Sequence, residues 1–129
     1  MKMRYVLTIS VLVCMVLLSG CFGKTREKAK RISCSSNLKM IGLAFFQFQE
    51  EYEVSPSSDE VMKKALQPLT GDEKTWICPS AKTGEESYKF LPEAFGKKMS
   101  DFKEPDKTPI ATCQQHDNTL YADGHVEMK

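Results

Sequence analysis

Residues 33–52, SCSSNLKMIGLAFFQFQEEY, decide the fold. Cys34, Leu38, Ile41, Phe45, Phe48 and Tyr52 recur at steps of four, three, four, three and four. That period lays one apolar stripe along an α-helix. With the charged residues before it, the spacing predicts a long amphipathic helix over 25–52. Gly42 lies beside the stripe, at a cost of about 1 kcal/mol against alanine, and leaves room for a close neighbour. Cys34 shares the stripe and is expected to face inward. The stripe reads as core covered by the rest of a small domain; a surface for a partner helix is the second reading.

Working outward, Ser55-Pro56-Ser57 ends the helix. Ser57 and Glu60 match a capping box, which starts a short helix over 58–67 with Val61, Ala65, Leu66 and Leu69 as its apolar side. Thr70-Gly71-Asp72 is a turn. Short strands are expected at Thr75–Cys78, Ser87–Leu91 and Pro109–Cys113, with a polar, irregular connection from Pro92 to Thr108. Thr119–Met128 reads as a hairpin. Asp123-Gly124 suits a two-residue type I′ turn, which sets Ala122 against His125, Tyr121 against Val126 and Thr119 against Met128. Tyr121, Val126 and Met128 would then face the core. The fold class is α+β, a long N-terminal helix packed on a small antiparallel sheet.

Before the helix the chain reads as an export signal. Lys2 and Arg4 precede an apolar run from Tyr5 to Leu17, which small residues follow. This order marks residues 1–20 as a signal peptide, and the run is shorter than the ~20 apolar residues a span requires. Leu18-Ser19-Gly20-Cys21 is similar to the bacterial lipobox, in which the cysteine thiol is diacylated and becomes the first residue after cleavage. Residues 21–24 are then the acylated anchor and 25–129 the domain. Each buried acyl methylene contributes ~0.8 kcal/mol, and two or three chains (palmitate among them) would hold the protein on the membrane. Lys24, Arg26, Lys28, Lys30 and Arg31 stand against Glu27 alone. A basic segment beside a lipid anchor gains about 1 kcal/mol per charge at an anionic surface; a solvated helix start is the equal alternative. Phe22 in place of aspartate after the acylated cysteine favours the outer membrane, with the domain on the periplasmic side.

The formal net charge of +1 argues against a nucleic-acid partner. Cys14 leaves with the signal and Cys21 is acylated, so Cys34, Cys78 and Cys113 remain in an oxidising compartment. One disulfide and one free thiol are expected. Three pairings are open: Cys34–Cys78 with Cys113 free is the expectation, and if Cys113 pairs, Cys78 is its partner.

Three segments together resemble a known family. Residues 26–43 look like the segment after the hydrophobic helix of type II secretion G-like pseudopilins, as found in planctomycetes and related bacteria. Trp76-Ile77-Cys78-Pro79-Ser80 is similar to that family's Cys-Pro-Ser segment. His116, followed by Leu120-Tyr121-Ala122-Asp123-Gly124-His125-Val126, is similar to its C-terminal His…Asp-Gly motif. The resemblance implies a long helix on a small antiparallel sheet. It also implies a structural or interaction role in a secretion or cell-envelope assembly. The chain departs from the family in two places. A lipobox stands where the prepilin peptidase site and polymerisation helix would be, and His116 lies closer to Asp123 than in the family's motif.

Chemistry has two further candidates. His116, Asp117, Asp123 and His125 cluster near the hairpin, and imidazole suits zinc while carboxylates suit calcium. Calcium also gains support from the resemblance, because major pseudopilins of this broad class can hold it in a C-terminal loop. A small calcium- or zinc-binding envelope module using His116, Asp123 and His125 is therefore the alternative function. Asp123 and Gly124 are equally explained by the turn. Neither a Gly-x-Ser-x-Gly elbow nor a glycine-rich phosphate loop is present, so no enzymatic activity is expected.

Overall fold

The computed structural model describes residues 22–129, together with Val13 and Cys14. The expected signal segment is otherwise outside the described residues, as is Cys21. Among the described residues no helix is long and apolar enough to cross a membrane. The chain divides into residues 1–30 and 31–129. In the first unit the side chains of Lys24, Arg26 and Lys28 are exposed, and Glu27 pairs with Lys30 at 3.8 Å.

Helix α1 is Lys2–Tyr52 and contains the expected 25–52. Within the second unit Cys34, Leu38, Ile41 and Phe45 are fully buried, as the period requires. Phe48 only packs against the core, while Tyr52 is 58% exposed and stacks on Phe48 at 4.6 Å. The core stripe therefore ends about one turn earlier than the sequence pattern suggests. Helix α2 (Asp59–Thr70) follows. Its N-cap is Ser58, without a side-chain cap bond, so the Ser57–Glu60 capping box does not form. It buries Met62, Leu66 and Thr70, and Val61 points out. Gly71 closes α2 in the left-handed region at φ 72°.

Thr75–Cys78 is not a strand. Glu73–Trp76 is a 3-10 turn, started by the Asp72 carboxylate, which accepts from the Lys74 N–H at 2.9 Å. That local bond offers the backbone an alternative to a ladder. The strands are β1 (Tyr88–Phe90), β2 (Pro109–Cys113), β3 (Thr119–Tyr121) and β4 (Val126–Glu127). They form one antiparallel sheet in chain order, β1-β2-β3-β4. The architecture is thus α+β, a long helix with a small antiparallel sheet. Ile110, Ala111 and Leu120 from the sheet, with Ala122 just after β3, meet the α1 stripe in one core with Met62 and Leu66.

The hairpin β3–β4 exists, but its register differs from the two-residue expectation. Leu120 pairs with Val126 and Thr119 with Glu127. The Gly124 N–H donates to Tyr121 O at 2.9 Å and the Tyr121 N–H to His125 O at 3.0 Å. The loop therefore has three residues, Ala122–Gly124, with Gly124 at φ 90° in the bulge position. One residue of slip exchanges the faces of β3, while Val126 still packs against the core as expected. Leu120 and Ala122 are buried, Tyr121 is partly out, and Met128 is 53% exposed.

Candidate metal centre

One helix, one strand end and two loops bring four ligand-type side chains together. Cys34 comes from the buried stripe of α1. Cys78 follows the 3-10 turn, where Cys78-Pro79-Ser80-Ala81 closes a turn through Ala81 N–H to Cys78 O at 2.9 Å; proline suits the second position of such a turn. Cys113 ends β2. His116 lies in the loop that follows, which is pinned by Cys113 N–H to Asn118 O at 2.9 Å and Asp117 N–H to Cys113 O at 3.1 Å. Asp117 takes a left-handed conformation, φ 55°, to make that closure. All four side chains are buried, and one ligand atom from each lies within 4.8 Å of every other. The Cys78 sulfur is 3.3 Å from His116 Nδ1.

Donors surround the sulfurs. The Asn37 amide donates to the Tyr88 hydroxyl at 3.1 Å, and that hydroxyl in turn donates to Cys34. The Ser80 N–H points at the Cys78 sulfur, and the Gln115 and His116 N–H groups point at the Cys113 sulfur. Cys34 itself donates to Cys113, which holds the Cys113 thiol well below the usual thiol range; the two backbone N–H groups add to this, against the opposing effect of burial. The same bond, with burial, pushes Cys34 up. Burial is also the main reason that Cys78 is raised. Tyr88 is raised by its own burial. The backbone around the cluster is fixed by Cys78 N–H to Ser87 Oγ and Gln114 N–H to Ser87 O, at 2.9 and 2.8 Å. Such a site can hold a metal ion, form a disulfide or keep buried thiols.

The residues expected to form a site divide differently. Cys34, Cys78 and Cys113 are free thiols in this structure, with no pair at disulfide distance, and Cys113 belongs to the same cluster as the expected pair Cys34 and Cys78. His116 lies with the cysteines. Asp123 and His125 face solvent and pair with each other, His125 Nδ1 to Asp123 Oδ1 at 2.5 Å, while Asp123 also accepts the His125 N–H at 3.1 Å. His125 stacks flat on Tyr121, with ring centroids 4.4 Å apart. Slight burial pushes the Asp123 carboxyl up, but the bonds from His125 outweigh it and leave it below its usual value. Asp123 and Gly124 thus serve the turn, and a Cβ on Gly124 would lie 2.8 Å from Phe46 Cε2. The missed signal was Cys113-x-x-His116, a ligand spacing as close as those of zinc sites. A surface cleft of about 510 Å³ is lined by residues such as Glu93, Lys97 and Asp101 and by none of the four cluster residues.

Neither the curated proteins nor the solved structures contain a match to this chain. Residues 23–77, less than half of the chain, match a family described as "Protein of unknown function (DUF1559)". Over that segment, which includes the helix stripe, α2 and the 3-10 turn, the chain is similar to a family of prepilin- and pseudopilin-like bacterial proteins.

Proposed function

We propose that this chain is a lipid-anchored, pilin-like module of the bacterial cell envelope. Diacylglyceryl-Cys21 holds it on the membrane, and residues 31–129 form a head on the periplasmic side with a structural or interaction role. The observation that carries this reading is the head itself. The stripe of a long helix is buried under a small antiparallel sheet, and the matched segment runs along that same helix. The lipobox at residues 18–21 supports attachment by acylation in place of a polymerising helix. The finer assignment, a relative of type II secretion G-like pseudopilins serving a secretion assembly, rests on the Cys-Pro-Ser and His…Asp-Gly segments. The role is architectural, with no reaction assigned to the head.

Metabolic labelling with an alkyne-bearing fatty acid tests the anchor. The full chain is expected to take up label and to sediment with membranes. Cys21→Ala should lose the label while the head still folds. A Cys21→Ala chain that is labelled as strongly as the parent would exclude this cysteine as the anchor.

A further inference from the structure

We propose that Cys34, Cys78, Cys113 and His116 form a structural zinc site. Three thiolates and one imidazole are one of the ligand sets of closed, four-coordinate zinc. Zinc with Zn–S near 2.3 Å and Zn–N near 2.0 Å sets tetrahedral sulfurs about 3.8 Å apart and sulfur to nitrogen about 3.6 Å. The Cys78 sulfur and His116 Nδ1 stand at 3.3 Å, and all four ligand atoms lie within 4.8 Å of one another. No pair of ligand atoms therefore stands more than about an ångström beyond its separation in such a site. A disulfide would use two of the ligands and bring their sulfurs to about 2.0 Å, leaving the third sulfur and the imidazole without that role.

Zinc takes cysteine as thiolate, and the donors around the sulfurs suit that form once an ion is bound. Three coordinated cysteines lose three protons to solvent, and with Zn²⁺ and a neutral imidazole the site carries one net negative charge. That charge is buried, so it needs hydrogen bonds. Tyr88 OH supplies one to Cys34, Ser80 N–H one to Cys78, and Gln115 and His116 N–H two to Cys113. Such outer partners orient the ligands and tune a metal. Sulfur-rich coordination selects zinc over calcium, which takes oxygen. Full burial leaves no open position for substrate water, so the ion is structural and not catalytic. It joins α1, the Cys-Pro-Ser turn and the end of β2.

The test uses the full chain extracted from membranes in detergent without chelator. Elemental analysis and native mass spectrometry are expected to give one zinc per chain, with all three thiols reduced. Chelation under reducing conditions should lower Tm by roughly 10 °C or more, and zinc should restore it. Cobalt exchanged into the parent should show the intense visible bands of a tetrahedral ion with thiolate charge transfer. His116→Cys should keep the metal and strengthen that charge transfer, even if Cys113→Ser fails to fold. Asp123→Asn and His125→Gln should leave zinc content unchanged. Recovery of a chain two hydrogens lighter and free of zinc would overturn the proposal. So would zinc that follows Asp123 and His125, or copper in its place.

Discussion

Gly124 carries two constraints at once. Its φ of 90° is one that side chains rarely adopt, and its missing Cβ leaves room for the Phe46 ring from α1. Gly124→Ala is expected to destabilise the head by about 1–3 kcal/mol, from backbone strain and overpacking together. Adding Phe46→Ala to that variant should not restore the parent's resistance to urea, because the backbone term persists. Full recovery would show that the clash alone mattered. The Asp-Gly pair was legible as a turn, since few other dipeptides tolerate such angles. Its register was not, because Asp-Gly serves both a two-residue turn and the end of a three-residue loop. The three-residue loop goes with Leu120 facing Gly42: a Cβ on Gly42 would lie 3.0 Å from Leu120 Cδ1. Gly42 was read correctly as a place of close approach, and the neighbour could be named only in three dimensions.

Among the elements, β1 lies at one edge of the sheet, where unpaired N–H groups invite foreign strands. Asp59, the first residue of α2, covers part of that edge by accepting the Phe90 N–H at 2.7 Å. It also pairs with Lys63 at 2.7 Å, and Lys63 reaches Glu86 at 2.5 Å. Burial lowers the Lys63 ammonium, but the two carboxylates outweigh it and raise it overall. Asp59→Ala is expected to cost about 1–3 kcal/mol, chiefly from the Phe90 N–H left without its acceptor. Hydrogen exchange should speed up at Phe90 first; an unchanged rate there would refute this account. The helix stripe and strands β1 and β2 were readable because each is a run whose period exceeds its noise. The 3-10 turn at Glu73–Trp76 was not, since one Asp72 side-chain bond overrides the β-propensity of Thr75 and Trp76. The metal centre was half visible. Cys113-x-x-His116 is a local signal, but the stripe assigned Cys34 only to packing, and no spacing links it to Cys78.

For the molecule as a whole, every core residue from Cys34 to Ala122 lies within residues 31–129. The start of that unit is fastened by Asn118 Nδ2 to Arg31 O at 3.1 Å and by Arg31 Nη1 to Lys129 O at 2.6 Å. A chain beginning at Thr25 is therefore expected to melt within about 2 °C of the full chain, since the core residues among those described all follow Arg31. A much larger fall in calorimetry would place part of the core before Arg31. The four cluster residues span the sequence from 34 to 116, so loop closure over most of the chain must precede their meeting. A nascent or unfolded chain holds its cysteines apart and open to reagents. Only a chain translated through His116 can shelter them. Thiol accessibility thus becomes a stamp of an unfinished fold, one that a thiol reagent can read without recognising any other part of the chain.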